Sequence, residues 1–337
     1  MPANLTPQYH KAEEAFKAAK TAEEKLAALD EMLAVIPKHK GTDHLQADLK
    51  RKRAELREEA SRPGKSKKAF DPFRIESGGA GQVVLLGPPN AGKSAIVARL
   101  SNARTEATPF PFATQGPIPG MMPFEDVQVQ LVDLPPITAD FFPPGMLGLI
   151  KSADAALLLA DLGSESVLED LEAVVSALEK GRLDVCDPRH AATRGGDGEE
   201  EAVAERLPGL LLGMKVDLPG AADRLEILRD LYGGRFDPLP ISTETSEGLD
   251  VLPGRVFGLL DRIRVYSKEP GKPPDRTSPF VLRRGETVLD LAAKVHRDFP
   301  EHLQQARVWG SARFDGQAVR RDYALVEGDV VELLVDL

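Results

Sequence analysis

Eight consecutive residues, Gly87-Pro88-Pro89-Asn90-Ala91-Gly92-Lys93-Ser94, follow the G-x-x-x-x-G-K-[ST] spacing. In that spacing the glycines let successive backbone N–H groups, those of Asn90, Ala91 and Gly92 included, turn inward around phosphate oxygens, and a following helix adds its positive end. Lys93 then reaches the β and γ oxygens, and Ser94 offers Mg2+ a hard hydroxyl ligand. Downstream, VQVQLVD ends at Asp133, placed to hold Mg2+ through water, and Thr114 in PFPFATQG supplies a second metal hydroxyl. Lys93, Thr114 and Asp133 are therefore the expected catalytic group, with Ser94, Thr114 and Asp133 at the metal. Lys215-Val216-Asp217 closes another apolar strand and Ser242-Thr243 the next. An aspartate at that place accepts both N1–H and N2–H of guanine, a donor pair that adenine lacks.

These residues need strand ends to present them, and the sequence provides strands. QVVLLG runs into the glycine loop and a helix starts at Lys93; VQVQLVD, the helical LGLIKSA, AALLLAD, GLLLGMKVD and PLPIS follow. Strand and helix alternation of this kind predicts a parallel α/β sheet with helices on both faces, here a P-loop NTPase domain over 81–266. After Tyr266 the Pro-rich KEPGKPPDRTSP opens a separate module over 267–337, read as a small mixed sheet with one helix. That helix is capped by Thr287 with Asp290 and buries Val288, Leu291, Ala292, Val295 and Phe299. Trp309, ending an apolar strand, is expected in that module's core.

Before the sheet lies a helical arm over 1–62, read as an αα-hairpin. Leu26, Leu29, Leu33 and Ile36 repeat at helical spacing, Pro37 to Thr42 breaks the pattern, and Leu45, Leu49 and Leu56 resume it. Thr21 with Glu24 makes a capping box, and a Pro/Gly/Ser-rich linker over 63–80 leads onward. The whole chain carries a net charge of −10, which excludes a uniformly basic coat. Yet Lys38 to Lys68 is rich in Lys and Arg, and this stretch is either a solvated helix face or an arm that contacts RNA phosphates. The tail module shows no excess of basic residues, so the hairpin is the better RNA surface. Residues 191 to 206 are Gly-rich and acidic and read as a surface loop without chemistry.

A hydrophobic content of 42% suffices for a proper core. The single cysteine, Cys186, excludes an internal disulfide framework and fits a reducing compartment. No apolar run approaches a membrane span and the N-terminus lacks a signal-peptide core, so a cytoplasmic protein is expected. The six histidines form no zinc spacing with that cysteine.

At this point the chain resembles the developmentally regulated GTP-binding protein branch of the Obg GTPases, including their C-terminal TGS domain, a β-grasp-like module. HKGTDHLQADLKRKRAELREE resembles the helical arm, GPPNAGKS the first motif, PFATQGPIPG switch I and VDLPPI switch II. SPFVLRRGETVLDLAAKVHRDF and ARVWG resemble the TGS module. The resemblance implies Lys93 and Ser94 on phosphate and Mg2+, Thr114 in switch I, Asp133 near Mg2+, Asp217 on guanine and Ser242-Thr243 beside the base. It also implies that Asn90 helps hold a monovalent cation, K+, at the phosphates. The function implied is a slow Mg2+-dependent GTPase of translation or ribosome biology, binding GTP and GDP.

Three positions depart from the family pattern. The D-x-x-G motif reads Asp133-Leu134-Pro135-Pro136, and proline has no N–H to give a γ-phosphate. Ile137 follows, where Ras-type GTPases place a water-orienting glutamine, as is normal for the resembling family. The N-K-x-D motif reads Met214-Lys215-Val216-Asp217, so the asparagine amide that braces the phosphate loop is absent. These departures open a second reading, a nucleotide-binding scaffold that does not hydrolyse, and Met214 opens a third, an ATPase. The large insert that the family carries in its G domain is also missing from the sequence.

Overall fold

A computed structural model describes residues 7–19, 22–36, 46, 48–54, 72–101, 116–190 and 205–336. The chain divides into two units at Asp71/Pro72. Thr114, the Thr21 cap, and all but 205–206 of the acidic loop lie outside the described residues.

Among the described residues the first unit holds the helical segments α1 (Pro7–Ala18), α2 (Ala22–Val35) and α3 (48–54). Tyr9 and Ala12 of α1, Leu29 and Met32 of α2, Ile36 just after it, and Leu49 of α3 make one buried cluster. The periodic Leu26, Leu29 and Leu33 all lie in the one helix α2, and α1 precedes it as a separate segment. Arg53 pairs with Asp30 at 2.6 Å, joining α3 to α2.

The second unit opens with β1 (Gln82–Leu86), α4 (Lys93–Leu100), β2 (Ile118–Phe124), β3 (Val127–Asp133) and α5 (Met146–Ser152). Then come β4 (Ala155–Asp161), α6 (Val167–Lys180), β5 (Leu183–Cys186), β6 (Glu205–Met214), α7 (Ala221–Tyr232), β7 (Leu239–Ile241) and α8 (Leu252–Leu259). The seven strands run in the order β2-β3-β1-β4-β6-β5, with β7 also on β6. Only β2 is antiparallel, paired with β3 from Ile118 opposite Asp133 to Phe124 opposite Val127. Sequence pattern did not reveal β2, since Pro119 and Pro123 speak against a strand. A proline is tolerated on an edge strand, where its missing N–H breaks no ladder, and β2 is such an edge.

The apolar runs of the central strands follow from burial on both faces. Val84 and Leu86 of β1 join a core with α5, α6 and α7 on one side. Val83 and Leu85 join a second core with α4 and α8 on the other. β1 therefore sits in the middle of the sheet with β3 on one flank and β4 on the other, and the chain reverses its winding at the carboxyl end of β1. Open α/β sheets bind their ligands in the crevice this reversal creates.

The tail consists of β8 (Arg262–Ser267), β9 (Phe280–Arg283), α9 (Val288–Val295), α10 (Phe299–His302), β10 (Leu303–Trp309), β11 (Gln317–Val319) and β12 (Val330–Val335). Its strand order is β11-β10-β12-β8-β9, with β12 parallel to β8 and the other pairs antiparallel, a β-grasp. β8 lies ahead of the boundary expected after Tyr266, because the strand pairs with β9 and β12 across the Pro-rich hinge. The helix cap stands as expected, with Asp290 accepting hydrogen bonds from the Thr287 N–H and hydroxyl at 2.7 and 2.8 Å. Trp309 departs from expectation: it is half-buried and lines a surface pocket, with the Lys268 ammonium 4.7 Å from its ring centroid. A β-grasp buries one face of its sheet, and Trp309, next to the buried Val308, is on the other.

The tail is fastened to the α/β domain at the β2–β3 turn. The Arg264 guanidinium pairs with Glu125, Asp126 and Glu327 and lies over the rings of Phe124 and Phe257. Tyr266 donates to Asp126 at 2.5 Å, and Arg262 pairs with Asp154 at 2.5 Å.

Candidate functional site

β1 ends at Leu86, and the loop from Gly87 to Gly92 turns the chain into α4. Asn90 and Gly92 take left-handed φ values of 60° and 89°. Two such residues within three positions keep the backbone curled; Gly92 adopts its angle without the steric cost a side chain adds. Asn90 is exposed, while Gly87 and Ala91 are buried.

Lys93 is buried at 7% exposure, and its ammonium donates to the Gly87 and Pro88 carbonyls at 3.0 and 2.8 Å. Burial lowers its pKa from 10.5 to about 8, with the charge of Asp133 opposing the shift. Ser94 donates its hydroxyl to Asp133 Oδ2 at 2.5 Å. Asp133 is fully buried at the end of β3, and its other oxygen, Oδ1, has no hydrogen-bond partner among the described residues. Burial raises its pKa above the ordinary 3.8, against the Ser94 hydrogen bond and the Lys93 charge. A hydroxyl and a carboxylate facing each other, with one buried oxygen unsatisfied, fit a hard divalent cation such as Mg2+.

The segment after Asp133 is held in place. Leu134, Pro135, Pro136 and Ile137 are all buried, and the Ile137 N–H donates to the Gly87 carbonyl at 3.1 Å. Position 136 has no N–H, and that of 137 is already engaged by the phosphate loop.

Base-recognition candidates come from the ends of β6 and β7. Met214 is buried, and a methyl added to Gly92 would stand 3.0 Å from Met214 Cε. An apolar contact thus occupies the place where the family's asparagine braces the loop. Lys215 has a left-handed φ of 61° and pairs with Asp161 at 2.6 Å. Asp217 is exposed. Ser242 is fully buried, and its hydroxyl accepts from the N–H groups of Glu244 and Thr245 at 3.2 and 3.0 Å, so it shapes its own loop; Thr243 is half-buried beside it. The two loops are joined by Val216 N–H donating to the Ile241 carbonyl at 3.3 Å. Sequence reading missed Asp161, although a charged residue closing the apolar run AALLLAD beside the strand of Lys215 was a usable signal.

Two family models meet on this chain: one described as 50S ribosome-binding GTPase matches residues 82–186, and one described as TGS domain matches 263–335. The molecule is a P-loop protein of the GTPase fold with a C-terminal TGS domain. In sequence it is similar to developmentally regulated GTP-binding proteins. It is 28% identical to developmentally regulated G-protein 2 of Arabidopsis thaliana, over 92% of this chain and 90% of that one. It is 26% identical to an uncharacterized GTP-binding protein of Methanocaldococcus jannaschii, over 93% of each. Among solved structures, the YchF GTPase of Schizosaccharomyces pombe superposes with a TM-score of 0.51 at 13% identity, covering 77% of this chain and all of that one. That likeness concerns the fold alone.

Proposed function

We propose that this chain binds GTP and GDP with Mg2+ and hydrolyses GTP slowly. The observation that carries the reading is the Ser94–Asp133 pair, with Oδ1 of Asp133 buried and unsatisfied beside the desolvated Lys93. An anion in the loop restores what burial takes from the lysine, because a phosphate beside the ammonium favours its charged form. Ser94 and Asp133 would hold Mg2+, with Thr114 as a further hydroxyl; the cation would offset charge on the phosphoryl oxygens. Lys93 orients the β and γ oxygens, and the loop amides from Gly87 to Ser94 bind them. Asp217 accepts from guanine N1–H and N2–H, with Lys215, Ser242 and Thr243 shaping the base site. Asn90 would help hold K+ at the phosphates, as its resemblance to potassium-activated relatives implies.

A role in translation or on the ribosome rests on the description of the matched GTPase model and on the basic stretch from Lys38 to Lys68, whose residues lie largely outside those described. Placement in the cytoplasm rests on the sequence holding a single cysteine, Cys186, which fits a reducing compartment. Among the described residues no helix is long and apolar enough to cross a membrane.

A second reading, a nucleotide-binding scaffold without hydrolysis, is favoured by the buried Leu134-Pro135-Pro136-Ile137 segment, whose remaining N–H is bound to Gly87. One experiment tests both. Purified protein is titrated with GDP, GTP and ADP in Mg2+, and phosphate release is followed with and without K+. The expected result is guanine-nucleotide binding and slow release, both lost in Lys93→Ala. Binding without release selects the scaffold, and absence of guanine binding defeats the proposal.

A further inference from the structure

We propose that Asp161, acting through Lys215, is the positioning residue that fixes the base-recognition loop and sets purine-nucleotide affinity, in place of the missing asparagine. This deepens the reading above and rests on it.

Asp161 closes β4 directly beside Met214, its register partner at the end of β6. The next residue, Leu162, donates its N–H to the Met214 carbonyl at 2.9 Å, so the ends of the two strands are tied before either loop departs. Asp161 uses both oxygens: Oδ1 accepts from the Gly163 N–H at 2.9 Å, and Oδ2 accepts from Lys215 at 2.6 Å. Its side chain is 13% exposed against 36% for Lys215, so the carboxylate is the fixed member and the lysine the one being held.

The lysine stem is held as well as its head. A methyl added at Gly163 would stand 3.5 Å from Lys215 Cδ and 2.6 Å from Leu218 Cδ1, which places the stem across a residue with no side chain of its own. Lys215 also pays a conformational cost, being in the left-handed region at φ 61°, where non-glycine residues are uncommon. Such a backbone persists where its surroundings over-determine it. Met214 offers this loop apolar packing against Gly92 but no hydrogen bond. Asp161 is the charged group that holds the loop's first residue, and a methylene stem pinned at both ends is a flat apolar shelf on which a purine can lie. Two residues later Asp217 depends on the same backbone for its aim.

The test uses fluorescent GDP and GTP on the full chain with Asp161→Ala, Asp161→Asn, Lys215→Ala and the Asp161→Ala/Lys215→Ala double variant, with pyrophosphate as a competitor that lacks a base. Positioning predicts that Asp161→Ala weakens GDP and GTP equally, about tenfold, and leaves pyrophosphate competition unchanged. Asp161→Asn falls between, keeping the Gly163 acceptor without the charge. The double variant is no weaker than Lys215→Ala alone, because Asp161 acts only through the lysine. Wild-type affinity in Asp161→Ala, additive losses in the double variant, or a parallel loss of pyrophosphate binding, which marks a damaged phosphate loop, overturns the proposal. If the wild-type chain itself binds no guanine nucleotide while pyrophosphate still binds, the proposed function fails instead.

Discussion

Replacing Pro136 by alanine should sharpen discrimination between GTP and GDP. The proline stands where the family's glycine gives an N–H to the γ-phosphate, and no rearrangement of the loop can supply that donor from position 136. The neighbouring N–H of Ile137 is bound to the Gly87 carbonyl at 3.1 Å, so using it would break an existing bond. A hydrogen bond to a charged partner contributes about 1.5–3 kcal/mol. Restoring it at position 136 should therefore raise the preference for a non-hydrolysable GTP analogue over GDP by about 10- to 150-fold. Alanine accepts the φ that proline held, and the lost rigidity costs about 0.4–1 kcal/mol of stability, which leaves the variant folded for measurement. Calorimetric titration in Mg2+ gives both affinities, and their ratio in Pro136→Ala divided by that in wild type isolates the effect. A quotient of one in a folded variant refutes the reasoning, because position 136 would then lie out of reach of the γ-phosphate.

Met214→Asn should slow GDP release, read by stopped-flow fluorescence, while lowering the melting temperature, since a buried thioether packed beneath Gly92 becomes an amide. Asp133→Asn should abolish the rise in nucleotide affinity that Mg2+ gives, with EDTA no longer affecting binding, yet should leave the unliganded protein at least as stable because a buried charge with one unsatisfied oxygen is removed. The junction of the two domains should loosen at both pH extremes. Burial pushes the Asp126 carboxyl up, but hydrogen bonds from Tyr266 and Arg264 outweigh this and hold it below 3.8. Its contribution is therefore present above pH 3.8 and lost as pH falls through the depressed value. The Tyr266 phenol is raised above 10 by its bond to Asp126 and by burial, so its contribution is present below pH 10 and lost as pH rises past the raised value. Hydrogen exchange at the β2–β3 turn should quicken below pH 3.8 in wild type and change little there in Asp126→Asn.

Local spacing made the phosphate loop and its helix legible, because eight adjacent residues carry their own geometry wherever a strand precedes them. The same holds for the Thr287–Asp290 cap, which closes within one helical turn. Burial of β1 and β4 on both faces was equally visible as unbroken apolar runs, and a run of that kind has few places to go other than the middle of a sheet. Pairing between distant segments was not visible. β2, a hairpin neighbour of β3, was concealed by its prolines and not by distance, while β8 lay on the wrong side of a hinge because one of its partners, β12, is more than sixty residues away. Trp309 read as core from its apolar strand, but alternation with the buried Val308 puts it on the opposite face of the sheet.

The sequence by itself marked the loop after β1 as one able to cradle a diphosphate-sized anion and named the side chains expected to face it. Only the tertiary structure decided how those groups stand electrically: that Asp133 is fully buried with one oxygen unsatisfied, that Ile137 is tied to Gly87, and that Asp161 holds Lys215. The physical reason is that residue type sets what a group can donate or accept, whereas desolvation and partnership depend on neighbours that the fold brings in from far along the chain.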